Sequence, residues 1–148
     1  MHSFVSCRLH VVFSTKERRP FITAELREQL WAYFGGISRN NKMKVVKVGG
    51  VEDHVHILLS LPATLEIAKA VQLLKGNSSK WIHDTFPDQK AFEWQAGYGA
   101  FSIGISGVAD TIAYIANQAA HNQKITFQQE LESILKKHGI EYEPWMLD

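Results

Sequence analysis

The sequence is poor in cysteine and in net charge, and it contains no long apolar run. Cys7 is the single cysteine, so the chain can form neither an internal disulfide nor a zinc cluster of thiolates. No segment approaches the roughly 18 apolar residues that span a bilayer. The opening MHSFVSCRLH also lacks the order of charged, apolar and small residues of a signal peptide. We therefore expect a cytoplasmic protein that does not enter the membrane.

Charge is nearly balanced over the whole chain but unevenly distributed along it. The net charge of +1 argues against a strongly basic nucleic-acid-binding protein. Residues 1–81 nevertheless carry 12 Lys and Arg against 6 Asp and Glu, whereas residues 82–148 carry 4 against 9. If the fold gathers the basic residues on one face, that face could bind phosphates. A solvated surface followed by an acidic tail is the alternative.

The order of apolar patterns predicts the fold class. A chain of 148 residues with 45% hydrophobic residues predicts one domain over residues 1–148. The predicted elements are a strand in SFVSCRLHVVFST, a helix from Thr23 to about GGISRNN, strands in KMKVVKVGGV and HVHILLSLP, a helix with Leu65, Ala68, Val71, Leu74 and Ser78 on one face, and a strand at about residues 100–105. This βαββαβ order predicts an α+β, ferredoxin-like antiparallel sheet.

The last third of the chain predicts C-terminal helices packed on this sheet. Ser106 can cap a third helix that runs to about Asn122. A fourth helix begins with a capping box formed by Thr126 and Gln129, and it ends at KKHG, where glycine suits the C-cap.

Two histidines stand one residue apart in the apolar strand EDHVHILLS. Because alternate residues of a strand face the same way, His54 and His56 project from one face while Val55 points to the other. Two imidazoles so placed can share a metal ion, which then needs further ligands. Glu52 and Asp53 lie close by and are candidates to ligate the ion or to orient a histidine. Ordinary surface histidines on a half-exposed sheet are the alternative.

The third predicted helix carries a polar cluster away from its apolar side. Its apolar stripe is Val108, Ile112, Ile115 and Ala119. Tyr114 and Gln118 are neighbours at i and i+4, with His121 beside them, so one helix face can offer a phenol and an amide oxygen to the same point. A surface tyrosine with its ring against the protein is the alternative.

Taken in order, these motifs resemble those of the HUH-type single-tyrosine transposases of the smallest hairpin-ended bacterial insertion sequences, to which the REP-associated tyrosine transposases are related. The residues that carry the resemblance are His54-Val55-His56 in DHVHILLS, Tyr114 to Gln118 in YIANQ, and the stretches HVVFSTKERRP, LLKGNSSKWI and WQAGYGAFSIG. One departure is His121-Asn122, where the family often has paired histidines, and it weakens any role for position 122.

The resemblance implies a chemistry for these residues. His54, His56 and Gln118 would hold Mg²⁺ or Mn²⁺, and Tyr114 would attack a phosphate of single-stranded DNA bearing hairpins. The products would be a 5′-phosphotyrosine and a free 3′-hydroxyl. Family members are homodimers in which the tyrosine helix of one subunit can complete the histidine site of the other.

Basic residues of the first half are candidates to hold the DNA backbone, with ordinary surface charge as the alternative for each. They are Arg8, Lys16, Arg18, Arg19, Lys75 and Lys80. GYGAFSIG is interpreted as a backbone turn packed by aromatic residues. The alternative is that Trp94 and Tyr98 stack on unpaired bases.

Three other functions fit part of the pattern. A ferredoxin-like sheet can serve as a non-catalytic single-stranded nucleic-acid-binding module, which predicts aromatic residues on the sheet face where this chain has histidines. A metal hydrolase that activates water at His54 and His56 leaves Tyr114 without a task. A domesticated relative that processes repeated hairpins would share every catalytic residue.

Overall fold

The computed structural model describes residues 1–147 of the chain. Its strands and α-helices are β1 (Arg8–Ser14), α1 (Ala24–Asn40), β2 (Lys44–Gly50), β3 (His54–Ser60), α2 (Ile67–Thr85), β4 (Gly99–Ser102), α3 (Val108–Ala116), α4 (Gln118–Asn122) and α5 (Phe127–Lys137). None of these helices is both long and apolar enough to cross a membrane.

The four strands form one antiparallel sheet in the order β2-β3-β1-β4. The connection through α1 joins β1 to β2, and β3 lies between these two strands. The connection through α2 joins β3 to β4, and β1 lies between them. This confirms the predicted α+β, ferredoxin-like βαββαβ sheet with C-terminal helices. The register sets Val12 opposite His56 and Ser14 opposite His54, so the residues of β1 and β3 that face the same way can meet.

One face of the sheet packs against α1 and α2 and forms the main hydrophobic core. β3 contributes Val55, Ile57 and Leu59 to this face, which are 0% exposed. The helices contribute apolar residues at helical spacing, and these pack on the strands. The helical residues in this core are Leu26, Leu30, Phe34, Ile37, Ala70, Val71, Leu74 and Ile82.

The other face lies under α3, α4 and α5, with a smaller apolar cluster of Val12, Phe101, Phe127 and Ile134. Contact between α3 and β2 is close because Gly49 has no side chain. A Cβ atom there would lie 2.3 Å from the backbone oxygen of Ile115. Gly49 thus allows the third helix to sit directly on the sheet beside β3.

Several predicted element bounds and buried faces are wrong. The first strand begins at Arg8, which lies opposite Ser60 at the end of β3; beyond this pair Cys7 accepts one more backbone hydrogen bond, from Leu61, before Pro62. Leu65 precedes α2 instead of lying in it, and Ala68 is exposed whereas Ala70 is buried. The last strand ends at Ser102, before a short 3-10 turn at Ile105–Gly107.

The third predicted helix is interrupted. Gly107, not Ser106, is its N-cap, and Asn117 leaves helical geometry with φ −98 and ψ 18 between α3 and α4. Beyond the interruption Gln118 is buried and Ala119 is exposed, the reverse of the predicted stripe. The predicted capping box is confirmed at the start of α5, where the side chains of Thr126 and Gln129 each bond the other's backbone N–H.

Candidate active site

His54 and His56 lie side by side on the face of β3 that α3, α4 and α5 cover. Both side chains are 0% exposed, and their ring centroids are 5.1 Å apart. The prediction that His54 and His56 project from the same face of the strand is confirmed. The alternative of surface histidines on a half-exposed sheet is wrong, because the helices of the last third exclude water from this face.

A buried carboxylate, Glu130, meets both histidines. The Nε2 atoms of His54 and His56 lie 3.1 and 3.2 Å from Oε1 of Glu130, and Glu130 is itself 0% exposed. One ligand atom from each of the three residues lies within 4.8 Å of the others. Glu130 reaches this position because it stands in the buried stripe of α5, between Phe127 and Ile134.

Gln118 supplies a fourth donor atom. Its Oε1 lies 3.2 Å from Nε2 of His54. Asn122 orients this amide, because its Nδ2 donates to Oε1 of Gln118 at 2.8 Å and to the backbone oxygen of Gln118 at 2.9 Å. Position 122 therefore has a contact in the site, contrary to the expectation drawn from the departure at His121-Asn122.

Each histidine also has a partner on its other ring nitrogen. Nδ1 of His54 donates to Oδ1 of Asp53 at 2.7 Å, which confirms that Asp53 is placed to orient a histidine. Nδ1 of His56 lies 2.8 Å from Nε2 of His10, a buried residue on β1. Such partners fix the ring orientation and the tautomer of metal-binding histidines.

Charge in the site is set by burial and by these hydrogen bonds. Burial alone lowers the pKa of His54, but hydrogen bonds to Asp53 and Glu130 raise that pKa to about 9. Burial lowers the pKa of His56, and it lowers the pKa of His10 to about 3. Burial alone raises the pKa of Glu130, but its hydrogen bonds to His54 and His56 hold it far below the usual range. An ionised Glu130 thus faces a protonated His54 and a neutral His56.

Tyr114 projects from α3 into the same cluster. Its hydroxyl donates to Oε2 of Glu130, lies 3.4 Å from Nε2 of His121, and its ring centroid is 5.7 Å from that of His56. Burial, together with the bond to Glu130, raises the pKa of the Tyr114 hydroxyl well above its ordinary value. The tyrosine therefore stands beside the histidines of its own chain.

The four donor atoms fit a divalent ion. Adjacent ligands on an octahedral ion with bonds near 2.1 Å lie about 3 Å apart. The distances from Nε2 of His54 to the oxygens of Glu130 and Gln118 are 3.1 and 3.2 Å. Two imidazole nitrogens with a carboxylate and an amide oxygen suit Mn²⁺, and they suit Mg²⁺ when water completes the shell. This burial and convergence make the cluster the candidate metal site.

The six basic residues predicted to hold DNA differ in their surroundings. Arg18 lies nearest the cluster, since its guanidinium is 5.4 Å from the ring of Phe127, which stacks on His54 at 4.4 Å. The guanidinium of Arg18 also donates to the backbone oxygen of Leu147. The others have these partners: Lys16 pairs with Glu93, Arg19 with Glu17 and Lys80 with Asp84; Arg8 donates to Ser6, and Lys75 donates to the carbonyls of Gln95 and Gly97.

The two aromatic residues proposed to stack on bases also differ. Trp94 is only 8% exposed, packs 4.8 Å from Phe13 and donates to Oγ of Ser78. Base stacking by Trp94 is therefore wrong, because its ring belongs to the core. Tyr98 is 45% exposed and stays a candidate.

Sequence reasoning missed Glu130 and His10, although each had a signal. In TFQQELESIL, Glu130 follows Phe127 by three residues and precedes Ile134 by four, so it occupies an apolar position of an amphipathic helix. His10 alternates with Val12 along an apolar strand. A charged or polar residue at such a position has to find a buried partner.

The sequence is similar to known proteins over most of its length. A family model described as Transposase IS200 like matches residues 3–118. The transposase for insertion sequence element IS200 of Salmonella typhimurium is 27% identical over 123 residues, which are 79% of this chain and 80% of the relative. The ISDra2 transposase TnpA of Deinococcus radiodurans is 28% identical over 85 residues, 57% of this chain and 61% of the relative.

Two solved structures share the fold. The crystal structure of a candidate transposase from Deinococcus radiodurans R1 has a TM-score of 0.67 at 24% identity, covering 80% of this chain and 95% of that chain. A REP-associated tyrosine transposase bound to a REP hairpin has a TM-score of 0.59 at 13% identity, covering 79% of this chain and 69% of that chain. The resemblance deduced from the motifs is confirmed.

Proposed function

Since the chain belongs to the IS200-like transposase family, we propose that it cuts and rejoins single-stranded DNA at hairpin-bearing element ends through a 5′-phosphotyrosine intermediate. The observation that carries the proposal is the meeting of the Tyr114 hydroxyl with Glu130, whose other oxygen faces His54 and His56. A nucleophile and a set of metal-ligating atoms thus share one buried cluster.

The proposed ligands of Mg²⁺ or Mn²⁺ are His54, His56 and Gln118, with Glu130 in the same donor set. The convergence of their atoms supports this assignment. A divalent ion bound there would polarise the scissile phosphate and stabilise the charge that develops on its oxygens. Asp53 and His10 orient the two imidazoles toward the donor set through their outer nitrogens.

Tyr114 is the proposed nucleophile. Its Oη forms a bond to phosphorus while the bond from phosphorus to the 3′ oxygen breaks, which leaves the 5′ side of the DNA on the tyrosine and a free 3′-hydroxyl. Rejoining is the reverse attack by a 3′-hydroxyl. A phenol of ordinary pKa is only about 0.1% ionised at neutral pH, so its proton has to be removed as it attacks. No nucleotide cofactor is required, because the covalent bond conserves the energy of the cut.

The phosphate is proposed to reach Tyr114 through the cavity beside it. This cavity has a volume of about 550 Å³, and its lining includes His10, Thr111, Tyr114, His121 and Lys137. The two proposed ligand histidines are fully buried. The scissile phosphate is therefore proposed to approach them from the side of Tyr114, where the cavity lies. Lys137 and the imidazole of His121 give this opening groups that can pair with phosphate oxygens.

Hairpin-bearing single-stranded DNA is the proposed partner, and the hairpin bound by the REP-associated structure supports it. The proposed backbone contacts are Arg8, Lys16, Arg18, Arg19, Lys75 and Lys80. Removing a residue that contacts the DNA backbone should reduce the magnitude of the slope of log affinity against log salt concentration by about 0.7. Alanine variants assayed over a salt series test the set, with Arg18→Ala expected to show the largest change.

A homodimer and a cytoplasmic location remain predictions. Tyr114 lies beside the histidines of its own chain, so a single chain carries the full donor set and the nucleophile. Sharing of the site between subunits would need α3 to move to the partner. Mixing a Tyr114→Phe chain with a His56→Ala chain tests it, because only a shared site restores activity.

The alternatives explain less of the structure. A binding module that stacks bases on its sheet needs an exposed aromatic face, whereas the face with the histidines lies under three helices. A hydrolase that activates water does not use the bond between Tyr114 and Glu130. A domesticated hairpin-processing relative is chemically identical, and only mobility of the flanking element distinguishes it.

One assay tests the proposed function. The protein and its Tyr114→Phe variant are mixed with hairpin-bearing single-stranded DNA from the element's own ends and with Mg²⁺ or Mn²⁺. We expect a protein–DNA adduct that survives denaturant for the wild type and none for the variant. Absence of a wild-type adduct contradicts the transposase. Cleavage without an adduct supports the hydrolase, and binding without cleavage supports the binding module.

A further inference from the structure

A second cavity adjoins the histidine cluster, with Phe127 as the shared wall. Its volume is about 470 Å³, which lies within the range of small-molecule sites. The ring of Phe127 lines this cavity and stacks on His54 with the ring centroids 4.4 Å apart. Arg18 also lines it, with its guanidinium 5.4 Å from the same ring. One aromatic ring therefore separates the cavity from the candidate metal site.

The loop of residues 95–98 forms one side of the cavity and is held in place by Lys75. Nζ of Lys75 donates to the backbone oxygens of Gln95 at 2.7 Å and Gly97 at 2.9 Å. Gly97 has a φ of +91, a value that residues with a side chain rarely adopt. This loop carries Tyr98, which lines the cavity and is 45% exposed. An aromatic face is thus presented to a ligand by a loop that is already fixed.

The 3-10 turn Lys16–Arg18 is strained beside the same cavity. Glu17 and Arg18 both line the cavity, and their φ values of 54 and 55 are left-handed. Just before the turn, the backbone N–H of Thr15 donates at 2.8 Å to the oxygen of Asp53, the residue that orients His54. Strained backbone of this kind is typical of ligand sites. The turn therefore connects the wall of the cavity to the candidate metal site.

The polar groups of the cavity suit a planar neutral ligand better than a phosphate. Oε1 of Gln95 accepts the backbone N–H of Glu17 at 3.1 Å, which leaves the N–H groups of its amide to donate to a ligand. Among the described residues that line the cavity, Arg18 is the single cation and faces two acids, Glu17 and Glu141. A nucleobase has a face for an aromatic ring and acceptors for an amide donor.

We propose that this cavity binds one unpaired nucleobase of the single-stranded DNA, with the ring of Tyr98 stacked on the base and the amide of Gln95 donating to one of its acceptor atoms. The assignment rests on the proposed function and deepens it, because it adds a base-binding subsite beside the proposed site of cleavage. Part of the wall lies beyond residues 3–118, the stretch that the family model matches. That part includes Leu131, Leu135 and Ile140.

A thermodynamic cycle between protein and DNA tests the subsite. Hairpin-bearing single-stranded DNA from the element's own ends is prepared with each unpaired nucleotide replaced, one at a time, by an abasic nucleotide. Dissociation constants are measured with Mn²⁺ in the Tyr114→Phe background, which binds DNA without cutting it. Tyr98→Ala removes the aromatic ring and Tyr98→Phe keeps it. Trp145→Ala is the control, since Trp145 is 69% exposed and is not part of the cavity lining.

We expect Tyr98→Ala to weaken binding of the intact DNA about tenfold, and Tyr98→Phe and Trp145→Ala to stay within about twofold of the background chain. At one unpaired position the abasic nucleotide should cost the background chain about tenfold and the Tyr98→Ala chain less than about threefold. At every other position the two losses should multiply. 2-Aminopurine at the coupled position should be quenched on binding, and Tyr98→Ala should restore its fluorescence.

Gln95→Glu tests the amide donor separately. It keeps an oxygen for the backbone N–H of Glu17 and replaces the donating NH₂ by a carboxylate oxygen. Repulsion between the added charge and the DNA backbone acts on intact and abasic DNA alike. The loss should therefore be about fivefold larger on intact DNA than on DNA that is abasic at the coupled position. Equal losses on the two DNAs overturn the contact with Gln95.

If no abasic position couples to Tyr98→Ala, the cavity does not bind a base and the proposal is overturned. The proposed function still stands in that case if the chain with Tyr114 forms its denaturant-resistant adduct. Coupling at one position in a protein that forms no adduct supports the base subsite and contradicts the proposed cleavage. A chain that does not bind hairpin-bearing single-stranded DNA at all overturns both.

Discussion

The two faces of the central sheet are equally buried but are stabilised in different ways. Along β3, Val55 and Ile57 face α1 and α2, whereas His54 and His56 face α3, α4 and α5, and all four side chains are 0% exposed. The first face is apolar, so its stability depends on hydrophobic burial and packing. The second contains ionised groups that are stable only when paired. Burial alone therefore does not distinguish a core from a site.

Among the described residues, every buried side-chain polar atom on the polar face has a hydrogen-bond partner. Among residues 1–147, Nε of Arg27 is the buried side-chain polar atom without a hydrogen-bond partner, and it belongs to α1 on the apolar side. The histidines, Glu130 and Gln118 all have partners. The polar face should thus respond to protons and divalent ions, and the apolar face should not.

The largest expected effect is on the apolar face. Phe34 is 0% exposed, and its ring lies 6.1 Å from that of Phe13 and 6.4 Å from that of Trp94. Phe34→Ala removes buried surface and leaves a cavity, so we expect the free energy of unfolding to fall by about 3–5 kcal/mol. Urea denaturation with and without Mn²⁺ measures it.

The Phe34→Ala loss should be the same at pH 6.5 and pH 8, because its aromatic neighbours Phe13 and Trp94 do not titrate. Trp145→Ala, at a residue 69% exposed, is the control and should change stability by less than about 0.5 kcal/mol. A Phe34→Ala loss that depends on pH or Mn²⁺ would contradict the separation of the two faces.

The second effect concerns protons on the polar face. His54 has a pKa of about 9, so a divalent ion must displace its proton. Affinity for Mn²⁺ should rise about tenfold per pH unit between pH 6.5 and 8, or about 1.4 kcal/mol per unit. Calorimetry in two buffers of different ionisation enthalpy should count about one proton released per ion.

The same proton affects folding without a metal ion. Because the pKa of His54 is raised above its ordinary value, its stabilising contribution is complete below pH 6.5 and is lost as pH rises through about 9. In EDTA, stability should decline on this alkaline side. His54→Gln has no such proton and should lack the decline. If the affinity of the wild type for Mn²⁺ does not depend on pH, His54 does not bind the ion.

Local patterns predicted much of the site, and tertiary packing supplied the rest. The period of two in a strand suffices to put His54 and His56 on one face, and the spacing of Tyr114 and Gln118 predicted their proximity. Glu130 lies 74 residues from His56 in the chain, so its contact depends on how α5 docks. No local period fixes that docking.

The interruption at Asn117 shows a second limit. Helical periodicity over Val108–Asn122 predicted one continuous helix, but the structure has two. Asparagine is only a moderate helix former, and the buried bonds of Gln118 with His54 and Asn122 outweigh local regularity. Pattern reasoning counts apolar positions, so it misses a polar side chain that is buried by its partners.

The third effect tests the close contact between α3 and β2. Gly49→Ala puts a Cβ 2.3 Å from the backbone oxygen of Ile115, which forces α3 away from β2. We expect the free energy of unfolding to fall by about 1–3 kcal/mol, and adduct formation to fall at least tenfold because Tyr114 is displaced.

Gly76→Ala on α2 is the matched control for Gly49→Ala. Its added Cβ meets nothing within 4 Å, so it should stabilise the helix by about 0.5–1 kcal/mol and leave adduct formation unchanged. Normal adduct formation by Gly49→Ala would show that Tyr114 tolerates movement of its helix.

The smallest expected effect concerns the orientation of Gln118. Asn122 donates to Oε1 of Gln118 at 2.8 Å, and without that bond the amide can rotate away from His54. Asn122→Ala should lower Mn²⁺ affinity about tenfold, or about 1.4 kcal/mol, measured by calorimetry against the exposed control Gln123→Ala. Gln118→Ala should cost at least as much. If Gln118→Ala weakens binding and Asn122→Ala does not, the amide is held by the ion alone. If neither does, the donor set is reduced to the histidines and Glu130.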